Sequence, residues 1–160
     1  MQRKVTDPIA QLMQEHDETL RQLKKLNQAC KALMENGLSG RVFDQILSSL
    51  RFIDEEVSHH NRREEEALFP VLDRYVEGPT RIMRKDHREL SRQFHRLRTA
   101  VAKVRLNNKS DRSLKGLAET GREVVQIFVN HIHKENYVLF PLVQKFLTRE
   151  ELRRVASKML

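Results

Sequence analysis

At 160 residues, 39% hydrophobic and 32% charged, with five Gly and four Pro, the chain has the length of one domain and a composition that favours helices. No run approaches the ~20 apolar residues of a membrane span, the opening Met1–Pro8 lacks a signal-peptide core, and the single Cys30 excludes an internal disulfide or a thiolate-rich metal site. The formal charge of +8 is spread over 30 basic residues interleaved with 22 acidic ones, without Trp, which argues against a base-stacking nucleic-acid platform and for a solvated charged exterior.

Asp7-Pro8 predicts the first helix start, with Asp as cap and Pro at the first helical position. Ile9, Leu12, His16, Leu20, Leu23, Leu26, Cys30 and Leu33 then follow at helical spacing, and Asn36-Gly37 ends the run. Cys30 reads as a small core residue. Ser39 caps a second helix with the seam Phe43, Ile46, Leu50, Ile53, Val57, His60, Glu64, Ala67 and Leu68, interrupted at Pro70. A third opens near Thr80 and carries Met83, His87, Leu90, Phe94, Leu97, Val101 and Val104 to a stop at Asn107-Asn108. Ser110 or Asp111 caps a fourth with the seam Leu114, Leu117, Gly121, Val124, Phe128, His131, Glu135 and Leu139. Thr148-Arg149-Glu150-Glu151 has the pattern of a capping box and predicts a short last helix.

The two halves repeat at a constant offset of 71 residues, which pairs Pro8 with Pro79, His16 with His87, His60 with His131, Glu64 with Glu135, and Leu68-Phe69-Pro70 with Leu139-Phe140-Pro141. Two equivalent hairpins predict an all-α, up-down-up-down four-helix bundle with an internal twofold repeat, halves 7–76 and 78–147, plus the short C-terminal helix. At ~1.5 Å rise per residue, each of the four seam histidines stands ~30 Å from its hairpin turn. They therefore fall in one layer, with Glu64 and Glu135 one turn away.

That layer carries the chemistry. His16, His60, Glu64, His87, His131 and Glu135 occupy apolar seams of four different helices. A buried carboxylate costs several kcal/mol unless it is paired or metal-bound, and no basic residue shares the seams at this level. Imidazole and carboxylate donors suit iron, manganese or zinc, and two ions ~3.5–4 Å apart can share bridging carboxylates. The expected assignment gives His16 and His60 to one ion and His87 and His131 to the other, with Glu64 and Glu135 bridging. Glu56, one turn before His60, is a candidate outer acid or proton carrier. Glu15 and Asp86 are candidates to orient the first- and third-helix histidines that follow them. Tyr137, His59, His95 and His133 read as peripheral, and the Leu-Phe-Pro runs as helix terminators or kinks that pack the bundle end.

One His followed by His-x-x-x-Glu, twice over, with Leu-Phe-Pro closing each copy, resembles the hemerythrin-like HHE cation-binding family over roughly Asp7 to Leu147. The resemblance implies a single hemerythrin-like domain with two iron ions, Fe2+ or Fe3+, joined by carboxylate and oxo or hydroxo bridges. It further implies a cytoplasmic protein that binds O2 or nitric oxide, or senses or handles oxygen, nitric oxide or iron, with a redox or repair partner. The alternative it implies is a di-iron enzyme that consumes peroxide or nitric oxide, or donates iron for iron–sulfur cluster repair. Oxygen-carrying hemerythrins have a fifth histidine one turn after the third-helix His, where this chain has Ser91. That departure points toward the four-His, two-Glu arrangement of stress-related relatives. Cluster-repair relatives usually carry a cysteine-bearing N-terminal domain. None is seen here, so repair would be expected to need another protein.

Overall fold

The computed structural model describes residues 7–106 and 109–160. Helix α1 is Pro8–Asn36, its free N–H groups capped by the Asp7 carboxylate, which accepts from Ile9 at 3.0 Å. It ends at Gly37, whose φ of 80° is open to glycine at no steric cost. Helix α2 spans residues 40–72, and Ser39 accepts from the Val42 N–H at its start. Helix α3 is Pro79–Arg105, beginning one residue ahead of the expected Thr80. Its predicted stop, Asn107-Asn108, lies outside the described residues. Helix α4 spans residues 111–146 behind a Ser110 cap, and α5 is Arg149–Lys158, with both halves of the Thr148–Glu151 capping box formed.

The helices run up, down, up and down. α1 lies along α2 and α4, and α3 lies along α4, while α2 and α3 touch only sparingly. The close approach of α1 and α4 depends on Gly121, since a Cβ built there would fall 2.4 Å from Cys30 Sγ. Cys30 is buried and its thiol pKa is pushed up to about 11 by desolvation, which makes it an inert core residue.

Neither Leu-Phe-Pro run terminates its helix. α2 passes through a π-helical turn, Glu64–Leu68, and continues as Phe69–Leu72; α4 passes through Glu135–Leu139 and continues as Phe140–Phe146. A proline inside an α-helix clashes with the carbonyl four residues back and donates no hydrogen bond. Widening the turn ahead of Pro70 and Pro141 relieves this, and the Phe69 and Phe140 N–H groups reach back five residues to the Glu64 and Glu135 carbonyls. The widened turn also leaves residues 64, 67, 68 and 69 all buried, and likewise 135, 139 and 140.

Two apolar clusters fill the bundle. The larger, with Leu23, Leu26, Ile46, Leu90, Leu97 and Phe128, occupies the end near the hairpin turns. The smaller, with Leu12, Phe69, Leu72, Phe140 and Val143, fills the other end, where Val155 of α5 and Met159 just after it close it. Every one of the six polar seam residues lies between these clusters.

Candidate metal centre

The four histidines and two glutamates meet in one layer, and all six are buried, Glu64 and Glu135 completely. Glu64 sits one helical turn after His60, and Glu135 one turn after His131, so each carboxylate contacts its own helix's Nε2. Each also reaches across the bundle. Glu64 Oε1 lies 3.8 Å from His16 Nε2 while its Oε2 lies 3.6 Å from His87 Nε2. Glu135 Oε2 lies 3.6 Å from His16 Nε2 while its Oε1 lies 3.5 Å from His87 Nε2. One oxygen of each carboxylate thus faces each histidine pair.

Outside this layer, every imidazole hands its Nδ1–H to an acceptor. His16 donates to Asn136 Oδ1 at 2.6 Å, His60 to Glu15 at 3.0 Å, His87 to Glu65 at 2.9 Å and His131 to Asp86 at 3.2 Å. That choice of tautomer turns all four Nε2 lone pairs inward. With all four imidazoles neutral, the centre then holds only acceptors: four nitrogens and four carboxylate oxygens. Both oxygens of Glu64 and of Glu135, and Nε2 of His87 and of His131, have no hydrogen-bond partner although buried. His16 Nε2 and His60 Nε2 stand 3.0 Å apart, close enough for one proton or one cation between them. Two nitrogens bound at about 2.1 Å to one ion, near a right angle, stand about 3 Å apart. The donor set fits cations.

Ligand atoms of His16, His60, Glu64 and Glu135 all lie within 4.8 Å of one another, and so do those of His87, His131 and Glu135. In the metal-free chain protons stand in for cations. Burial pulls the His60 pKa down more than any other single influence, but Glu64, the bond to Glu15 and Glu135 together outweigh it and raise it to about 10. His87 is raised to about 8 by the same contest between burial and its contacts to Glu135, Glu64 and Glu65. Burial pushes the Glu64 carboxyl up, and the His60 charge with the close approach of the His60 and His16 rings drives it well below the usual carboxylate range.

Three expectations need correcting. Glu15 and Asp86 do orient histidines, but those of the partner helix, His60 and His131, rather than the adjacent His16 and His87. Glu56 is exposed and among the described residues bonds none of the four histidines. The π turn Ile53–Val57 that contains it lays Ile53 and Val57 inward and leaves Asp54, Glu55 and Glu56 at the surface. The Leu-Phe-Pro phenylalanines wall the centre: Phe140 stacks on His16 with ring centroids 5.4 Å apart, and Phe69 on His87 at 5.9 Å. Glu65 and Asn136, which the seam pattern passes over, are the acceptors behind His87 and His16, and they occupy equivalent positions in the repeat. Arg63 and Lys134 also lie near this level but turn outward to Glu15 and Asp86, leaving the buried carboxylates alone. Tyr137, His59, His95 and His133 are exposed, and so is Ser91.

A four-helix bundle with a doubled His and His-x-x-x-Glu layer at its dry middle defines a class of protein built to hold cations. Residues 7–143 match the family described as Hemerythrin HHE cation binding domain, and the chain belongs to that family. It is 28% identical over 131 residues to the iron-sulfur cluster repair protein YtfE of Salmonella paratyphi B (strain ATCC BAA-1250 / SPB7), covering 79% of this chain and 60% of the relative. The YtfE of Salmonella newport (strain SL254) matches with the same figures. The YtfE of Yersinia pseudotuberculosis serotype IB (strain PB1/+) is 27% identical over 100 residues, 60% of this chain and 45% of the relative. The chain therefore spans about half the length of these curated relatives. Among the described residues no helix is long and apolar enough to cross a membrane.

Proposed function

We propose that residues 1–160 act as one cytoplasmic hemerythrin-like domain holding two iron ions, which binds or senses a small diatomic ligand, O2 or nitric oxide. The observation that carries the reading is a buried centre of four imidazoles and two carboxylates drawn from four helices, in which six atoms, from three of those helices, are unpartnered. His16 and His60 would hold one ion, His87 and His131 the other, with Glu64 and Glu135 shared. Bound iron supplies a reversible change of oxidation state and an open position for a ligand. The chain's own part is to hold the lone pairs inward through Asn136, Glu15, Glu65 and Asp86, and to keep water out with Phe69, Phe140 and α5. The phenylalanines stacked on His16 and His87, with both glutamates fully buried, favour a diatomic over a larger substrate.

The test is iron content with optical spectra of the reduced protein before and after O2 or nitric oxide. Two irons per chain and a spectrum that changes with the gas are expected; a metal-free protein, or a spectrum indifferent to both gases, overturns the reading. A second reading, iron–sulfur cluster repair with a partner protein, draws support from the names of the YtfE relatives. It predicts that the iron-loaded chain restores activity to a nitric-oxide-damaged iron–sulfur enzyme, and no restoration removes it.

A further inference from the structure

The repeat is broken at one pair of positions that matters to the cations. Glu65 and Asn136 occupy equivalent places, each following its buried glutamate, and each accepts the Nδ1–H of a histidine on another helix. A carboxylate stands behind His87 at 2.9 Å, and an amide behind His16 at 2.6 Å. The other two backing groups are both carboxylates, and each is neutralised by its own cation: Glu15 by Arg63, Asp86 by Lys134 at 2.9 Å. The shell behind His16 and His60 (Glu15, Arg63, Asn136) therefore carries no net charge, while that behind His87 and His131 (Asp86, Lys134, Glu65) carries one negative charge.

We propose that the two cation positions are unequal, the His87–His131 position binding first and more tightly, because Glu65 backs His87 with a charge where Asn136 backs His16 with a neutral amide. A carboxylate accepting the Nδ1–H draws that proton outward and makes Nε2 the better donor. Its charge would also add to the attraction for a cation held by His87. Geometry alone pulls the other way, since four donors cluster mutually around His16 and His60 and three around His87 and His131. Glu64 Oε2 is already 3.6 Å from His87, and a small swing of that carboxylate evens the donor sets. No movement turns an amide into a charge. Changes to the groups behind metal-bound histidines alter affinity by about 10- to 100-fold, and the two steps are separated by a factor in that range.

The inference rests on the two-ion reading and is tested by titrating the full chain with Co2+, followed optically and by calorimetry. Two resolved steps are expected. His60→Ala keeps the tighter step and His131→Ala keeps the weaker. Exchanging the pair, Glu65→Asn with Asn136→Glu, reverses that assignment. Glu65→Gln, a change of charge at constant shape, narrows the gap tenfold or more and serves if the exchanged chain does not fold. Uptake of two ions with equal affinity, or a gap untouched by Glu65→Gln, overturns this inference alone. A chain that takes up no cobalt overturns the two-ion reading with it.

Discussion

Glu64 and Glu135 are fully buried, and in the empty site only histidine protons offset the cost of desolvating them, so at the residue scale the site is expensive. Removing both charges should then help the fold while it destroys the site. Replacing buried ionic groups by apolar ones of similar volume is often stabilising by about 1–4 kcal/mol. Glu64→Leu combined with Glu135→Leu is expected to raise the metal-free stability by an amount in that range and to abolish metal uptake, as read by urea denaturation and metal analysis. A less stable double variant would mean that pairing with protonated histidines outweighs the cost of burying the two carboxylates. Proton linkage gives a second test. His60, at about 10 in the metal-free chain against an ordinary 6.5, supports the empty fold fully below pH 6.5, and that support is lost as pH rises toward 10. Glu64, held low, adds stability above the carboxylate range that is lost as pH falls through it. A metal ion must displace the His60 proton, so uptake at pH 8 is expected to release protons and affinity to climb with pH. Calorimetry in buffers of different ionisation enthalpy measures this; a heat independent of buffer would contradict it.

At the scale of the element, the same polypeptide logic explains what could be read beforehand and what could not. His16, His60, His87 and His131 were legible because polar residues repeating at apolar spacing have few structural excuses, and the offset of 71 residues put them in one layer. Their backing groups were not. Residues adjacent on a helix do not face the same way, so Glu15 and Asp86 cannot serve the histidines beside them and reach the neighbouring helix instead. Glu65 and Asn136 come within reach from the π turns, whose one signal in the sequence is a proline six residues after each glutamate in a run that stays helical. Gly121 falls on the fourth seam in the sequence, but its closeness to Cys30 does not show there, because helix separation is a tertiary quantity. Gly121→Ala is expected to cost about 1–3 kcal/mol through overpacking, with Cys30→Ala in the same chain returning part of it. A double-mutant cycle by thermal denaturation checks the coupling; additive effects would show that the two helices do not press together there.

For the whole molecule, the position of the centre between two apolar clusters decides what metal removal does. The larger cluster, around Leu26, Ile46, Leu97 and Phe128, joins all four long helices without help from any cation. The chain should therefore remain helical when stripped, unlike small domains whose fold depends on their metal. The smaller cluster is different: its Ala67, Leu68, Phe69, Leu139 and Phe140 sit on the π turns that carry the glutamates, and α5 rests on them through Val155, with Met159 just after it. Repulsion between the emptied carboxylates is felt first at that end. Free metal at about 100 times its dissociation constant stabilises by about 2.7 kcal/mol, which for a chain of this size moves the melting temperature by roughly 5–10 °C. Chelation is expected to lower the melting temperature by that amount with far-ultraviolet circular dichroism nearly unchanged. It should speed amide exchange in the two π turns and α5 while residues 23–33 and 90–104 keep their protection. Uniform acceleration across all four helices would show instead that the cations hold the entire bundle together.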